Sequence, residues 1–236
     1  PLPQRYWHYA DKRPALYTAI SELRRVVAIT RVSKTVMPAM VPTKQVISEA
    51  VVVFATEDTA MLALLSSSPH YWWAATRASS LKADLRYTPS DVFETFPMPE
   101  LTERMRVLGD GLDGERHNVM LSRDAGLTAT YKLVFDSACR DADIVGLREL
   151  HREIDEAVCV AYGWDDLVEQ GLDHGFHPAG PYTRYTVGPS VQQEILDRLL
   201  ELNHARYAEE LAKGLHDKKA GKPKAGTQAS LFEGMG

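Results

Sequence analysis

Between residues 81 and 87 apolar and charged positions alternate without a break: Leu81, Ala83, Leu85 and Tyr87 against Lys82, Asp84 and Arg86. Successive side chains of an extended chain point to opposite faces, so the pattern predicts a strand with one face to bury. Its other face would carry cation, anion and cation in a row. Upstream, the β-branched run Val26-Val27-Ala28-Ile29 predicts a buried strand. Residues 35–42 predict a second, which Pro38 confines to an edge or a bulge, and residues 50–55 predict a third, central one. Phe93, Phe96 and Met98 alternate with polar residues and are expected to close the sheet.

Helical periods surround this sheet. A short helix is expected over residues 12–23, capped by Asp11, with Leu16, Ala19, Ile20 and Leu23 as its buried stripe. Asp58 suits the N-cap of a helix to Leu65, broken by Ser66-Ser67-Ser68-Pro69 and resumed over residues 70–76. Tyr71, Trp72 and Trp73 cannot all face one way on it. Core or interdomain packing is favoured over a stacking platform for single-stranded bases, with at least one ring exposed or against another domain.

Past residue 100 only helical spacing remains. Leu101, Met105, Leu108 and Leu112 predict a helix to about Arg123, with Gly126 as a C-terminal cap and Thr128 starting a short successor. Ile144, Leu147, Leu150, Ile154, Val158 and Ala161 predict one over residues 143–162, stopped by Gly163. Residues 164–188 read as a loop with a short strand at 184–187, and a last helix starts at Pro189 or Ser190. The fold class expected is therefore α+β. A small mixed or antiparallel sheet with flanking helices fills residues 1–100, an all-α helical region residues 101–215, and residues 216–236 form a disordered tail.

Charge changes the picture. The net charge of -5 argues against a polyanionic partner only until it is divided. Residues 1–90 hold eleven Lys and Arg against six Asp and Glu (+5), and the remainder sixteen against twenty-six (-10). Contact with a nucleic-acid backbone needs local positive charge, which the first part has. Arg31, Ser33 and Lys34 are spaced for phosphate contact from a loop, with Lys44 a further candidate; a solvated turn fits the loop residues equally. Cys139 and Cys159 are the only cysteines, which fits a reducing cytoplasm. No run of eighteen apolar residues or signal-peptide pattern points to a membrane.

Catalytic signatures are missing. There is no Asn/Asp-Pro-Pro-Tyr/Phe motif, no glycine-rich loop after a strand, no serine nucleophile elbow and no Cys-x-x-Cys pair. His174 and His177 have tolerable metal spacing without a third ligand. Glu149, His151, Glu153, Asp155 and Glu156 read as the wet face of a helix. No catalytic residue, metal or cofactor is expected in this chain.

Several ordered stretches carry a resemblance. Residues 80–97, Ser-Leu-Lys-Ala-Asp-Leu-Arg-Tyr-Thr-Pro-Ser-Asp-Val-Phe-Glu-Thr-Phe-Pro, resemble the target recognition domain of MmeI-like (type IIL) restriction-modification enzymes and related adenine-specific DNA methyltransferases. Tyr-Ala-Asp-Lys-Arg-Pro (9–14) and Arg-Val-Ser-Lys-Thr-Val-Met-Pro-Ala-Met-Val-Pro (31–42) resemble the same domain. Gly-Leu-Thr (126–128), Ala-Tyr-Gly-Trp (161–164) and Leu-Asn-His-Ala-Arg-Tyr (202–207) are similar to that family's C-terminal helical region.

The resemblance implies a parent enzyme whose S-adenosylmethionine-dependent N6-adenine methyltransferase domain lies outside this chain, in a restriction-modification or phage-defence system. It implies double-stranded DNA held by its major groove, with the parent's methyltransferase domain as an intramolecular partner. By that likeness Lys82, Asp84 and Arg86, with Ala50 on another strand, face bases, and Arg31, Ser33, Lys34 and Lys44 face phosphates. Lys donates to guanine and Asp accepts from cytosine, so Lys82 and Asp84 together would specify one G·C pair. Two other readings stay open from the residues alone. Residues 79–87 also fit an edge strand with a salt-bridged outer face, and the helices after Leu101 also fit a protein-interaction module.

Overall fold

A computed structural model describes residues 13–81 and 84–215. Asp11, Lys82 and the tail from residue 216 therefore lie outside the described residues. The chain opens with α1 (Pro14–Ala19), shorter than its apolar stripe predicts because residues 20–22 are turns. β1 (Arg25–Thr30) follows, bends at Arg31 and continues as β2 (Val32–Ser33). β3 (Ala39–Pro42) and β4 (Val51–Phe54) both pair antiparallel with β1. The central strand is therefore β1, and the expectation that residues 50–55 lie in the middle is overturned. The burial explains it. Val26, Val27, Ala28 and Ile29 are buried without alternation, whereas β4 alternates, with Val52 and Phe54 inward.

α2 (Thr59–Ser66) is buried along its whole length. Asp58 caps it by accepting from the Ala60 N–H, and Ser67 ends it and caps α3 (Ser68–Arg77) by accepting from the His70 N–H. β5 (Ser79–Leu81) and β6 (Asp84–Arg86) are antiparallel partners with Leu81 opposite Asp84, so the stretch expected as one strand doubles back. β2 pairs with the other side of β6, giving a second sheet in the order β2-β6-β5. The expected closing strand at Phe93–Met98 is also not formed. Pro89, whose fixed φ suits a first helical turn, starts α4 (Pro89–Val92), and Phe93 and Phe96 pack edge-on against Phe54 and Trp73.

The remaining elements are α5 (Glu103–Ser122), α6 (Leu127–Val134), α7 (Ala142–Ala161), α8 (Asp165–Gln170), the hairpin β7 (Gly175–Ala179) with β8 (Tyr182–Thr186), and α9 (Pro189–Ala212). Residues 164–188 thus hold a helix and a hairpin where a loop with one short strand was expected; that strand, at 184–187, falls on β8. Gly126 is the N-cap of α6, and Asp124, at φ 47°, takes the left-handed position that ends α5. Gly109 is where α2 and α5 touch: a Cβ there would lie 1.9 Å from the Thr59 carbonyl oxygen. One continuous core runs from Val27 through Leu62, Leu112 and Val158 to Leu199. The architecture is α+β, with small antiparallel sheets set among helices.

Candidate nucleic-acid interface

Arg31 is the joint between the two sheets. Its N–H donates to the Ala50 carbonyl at 2.8 Å, and its own carbonyl accepts from the Tyr87 N–H at 2.7 Å. The bend thereby brings Ala50, just ahead of β4, and the end of β6 to one place. Across the second sheet Val32, Arg86 and Ser79 lie side by side, and all three are exposed. Leu85, one residue along, turns the other way and packs on the core, and Tyr87 is fully buried. One face of this sheet is closed and one is open.

Asp84 lies two residues from Arg86 and so on the same side of β6. It is half-buried, because the Tyr182 hydroxyl donates to its Oδ1 at 3.3 Å. Lys34 is exposed, with Nζ 5.4 Å from the centre of the same tyrosine ring. The Ser33 hydroxyl accepts from the N–H groups of Thr35 and Val36, both at 3.1 Å, and so shapes the loop that carries Lys34. Lys44 stands apart. It is exposed in the turn after β3, beside Thr43, whose N–H donates to the Arg24 carbonyl at the start of β1. Arg31 is at the other end of that strand.

Arg31, Lys34, Lys44 and Arg86 have no carboxylate within 4.0 Å among the described residues. The helical half contrasts. Arg104 pairs with Glu153, Arg123 with Asp141 and Asp143, Arg152 with Glu149 and Glu156, and Arg198 with Asp166 and Glu194. Cations without an internal partner remain available to a polyanion.

The family model for the MmeI target recognition domain matches residues 9–100, the segment that carries this open sheet. Over these residues the chain is similar to the MmeI target recognition domain. No curated protein matches the chain. A solved structure of the type IIL restriction-modification enzyme MmeI in complex with DNA shares the fold, with a TM-score of 0.53 at 18% identity. The match covers 78% of this chain, so it continues past the recognition domain, and 21% of that enzyme. This chain thus spans about a fifth of the enzyme it resembles.

The recognition domain is braced from the helical half. Arg184, on β8, is buried with its guanidinium 3.7 Å from the Tyr71 ring centre, and its Nη1 donates to the Thr35 carbonyl at 2.7 Å. Arg116, on α5, donates through Nη1 to the Pro38 carbonyl at 2.9 Å and through Nε to the Tyr131 hydroxyl at 2.6 Å. Both hold the loop between β2 and β3. Neither was visible in the sequence, where nothing in the spacing marks an arginine that turns inward.

The wet-face reading of α7 is corrected at two positions. Asp155 is buried, accepting from the N–H and the hydroxyl of Ser68, both at 2.6 Å, and lying 2.9 Å from His174 Nε2. The carboxylate thus meets the positive N-terminal end of α3. His151 is buried with Nε2 2.6 Å from the Tyr131 hydroxyl, and burial pushes its pKa well below the usual histidine range. A signal did exist: 151 and 155 fall four and eight residues beyond Leu147, on the apolar stripe. Tyr71, Trp72 and Trp73 are all buried, and Trp72 reaches the hairpin by donating to Thr186 Oγ1 at 3.2 Å. The packing alternative holds, and no stacking platform is presented.

His174 turns to Asp155, whereas His177 bonds the Asp173 carbonyl at 3.0 Å, so the two do not converge. Among the described residues no group of His, Cys, Asp and Glu could hold a metal ion, and no helix is long and apolar enough to cross a membrane.

Proposed function

We propose that this chain is the sequence-reading part of an MmeI-type restriction-modification enzyme, holding double-stranded DNA by its major groove against the open face of the β2-β6-β5 sheet. The observation that carries the reading is the set of exposed cations Arg31, Lys34 and Arg86, none paired with a carboxylate among the described residues, beside the carboxylate of Asp84. Asp84 and Arg86, with Lys82 from the connection between β5 and β6 and Ala50 beside Arg31, face bases. Arg31 and Lys34 meet phosphates, and Ser33 shapes their loop. Lys44, farther off, meets a phosphate at the edge of the footprint. The fold likeness to an enzyme solved with DNA supports this direction.

In this reading the methyl group comes from S-adenosylmethionine, bound by an N6-adenine methyltransferase domain elsewhere in a cytoplasmic parent enzyme that serves phage defence. The target adenine must leave the stack to react, so the recognition domain would grip the duplex while that domain receives the flipped base. None of this chain's residues is assigned to the cofactor, since no glycine-rich turn leads from a described strand into a helix. Leu211 and Leu215, exposed at the end of α9, give the helical half a surface suited to another domain of the parent.

The test is a charge exchange in the full-length enzyme, Lys82→Glu with Asp84→Arg, read by sequencing the methylated sites. One base pair of the site should turn from G·C to C·G, each contact discriminating by roughly 1–3 kcal/mol. An unchanged site would remove both residues from the reading.

A further inference from the structure

The β7–β8 hairpin belongs to the helical half, outside the matched recognition domain, yet its tip reaches the proposed reading face. Five residue pairs, from Gly175 with Thr186 to Ala179 with Tyr182, hold it straight, and Gly180, at φ 62°, allows its two-residue reversal. Its base is locked. Arg184 bonds Thr35, and Thr186 Oγ1 lies 2.8 Å from Ser68 Oγ and accepts from Trp72. The hairpin is therefore no free arm, and what its tip presents is fixed relative to β6. At that tip Tyr182 meets Asp84 and Lys34 together.

We propose that Tyr182 is a positioning residue for base readout, fixing the Asp84 carboxylate through its hydroxyl and the Lys34 ammonium through its ring. The inference rests on the reading that Asp84 faces a base. A carboxylate turns freely about its last bond, and the 3.3 Å hydrogen bond to Oδ1 restricts that rotation. Oδ2 accepts from no described residue, which leaves it open to an exocyclic amine such as cytosine N4. A preset acceptor loses less freedom on meeting the base, and a misdirected one discriminates poorly. Lys34, held near the ring face, also offsets the repulsion that a bare carboxylate meets beside phosphates. The hairpin would thus be a second reading element, supplied by the helical half.

Three variants of the full-length enzyme decide it: Asp84→Ala, Tyr182→Phe and Tyr182→Leu, each read by the spectrum of methylated sites and by the ratio of affinities for the cognate duplex and one changed at a single pair. Asp84→Ala should relax one position. Tyr182→Phe should relax the same position by about three- to ten-fold, the worth of one hydrogen bond. Its melting temperature and its affinity for unrelated duplex should not move, and a merely structural role would not produce that split. Tyr182→Leu should add a fall in affinity for every sequence, as Lys34 loses its support. If Asp84→Ala relaxes a position and Tyr182→Phe does not, the inference fails while Asp84 remains a reader. If Tyr182→Phe acts and Asp84→Ala does not, it also fails, since the tyrosine then works through something else. If neither changes the sites, both the inference and the base-facing role of Asp84 are lost.

Discussion

The guanidinium of Arg184 and the carbonyl of Thr35 meet at 2.7 Å across 149 residues of sequence, one on the C-terminal hairpin and the other in the loop that presents Lys34. The loop's course is thus set from outside the matched domain. Arg184 lies between the rings of Tyr71 and Phe135 and is fully buried, and that burial pushes its pKa down. Arg184→Ala should leave the Thr35 carbonyl without its donor and open a cavity, costing about 2–4 kcal/mol of unfolding free energy. Arg184→Met, which refills the space without a charge, should lose less. Urea midpoints of the two variants against the parent sequence check the order.

Gly109→Ala should be more damaging than its one added carbon suggests. The new Cβ would fall 1.9 Å from the Thr59 carbonyl oxygen, a backbone atom of a wholly buried helix that cannot swing aside. α5 and α2 must separate, so a loss of roughly 3 kcal/mol or more is expected. Gly114→Ala, on the same helix with nothing within 4 Å, should instead gain about 0.5–1 kcal/mol from reduced backbone freedom. Thermal melts of the two variants should move in opposite directions.

The helices were legible because their signals are local: Asp58, Gly163 and Pro189 mark boundaries that the structure places within a residue or two. The sheets were less so. Alternation over residues 79–87 reports which side chains turn inward, and Leu85 and Tyr87 do, but it is blind to a reversal in mid-run. β6 also pairs with β2 on its other edge, Val32 with Arg86 and Ser33 with Leu85, a contact distant in sequence that no period encodes. The loop of Arg31, Ser33 and Lys34 was legible as a polar, basic turn, whereas its supports Arg116 and Arg184 were not. An arginine reads as surface until the carbonyls and rings that accept it are known.

Acid should destabilise the protein before its carboxylates begin to protonate. His70 is buried, with Nδ1 2.9 Å from the Leu65 carbonyl and Nε2 3.0 Å from the Tyr87 hydroxyl. Those partners require a neutral ring that donates from Nδ1 and accepts at Nε2, and burial lowers its pKa to about 4. His151 is likewise lowered by burial, then by the nearby Arg116 and Arg184 charges. Below the ordinary histidine pKa of about 6.5 the unfolded chain binds these protons and the folded chain does not, so stability falls as pH falls. For His70 the loss runs from about 6.5 down to about 4 and then levels. For His70 this should cost about 2 kcal/mol by pH 5, and His151 adds a loss in the same direction. Asp143, held below the usual carboxylate range by its bond to Arg123, contributes only at lower pH. Urea unfolding at pH 7 and pH 5 should show the difference, and His70→Gln should shrink it by about 2 kcal/mol, whatever it does to stability at pH 7.

Salt dependence separates the roles of the surface cations. Each phosphate that a protein neutralises in duplex DNA contributes about -0.9 to the slope of log affinity against log salt, because one condensed counterion set is released. Arg31 and Lys34 are exposed and meet no carboxylate among the described residues, so no internal ion pair competes with that exchange. Arg31→Ala and Lys34→Ala in the full-length enzyme should each flatten the slope by about 0.9 and weaken all sequences alike. Arg86 sits in the row with Val32 and Ser79, exposed at the sheet centre, and is proposed to meet a base edge. Arg86→Ala should therefore relax one position of the site more than it flattens the slope. Arg104→Ala is the control. Its charge is already matched by Glu153 on the neighbouring helix, so its loss should leave the slope where it was. A slope equally sensitive to Arg104 and Arg31 would place the duplex on the helical half and not on the open sheet.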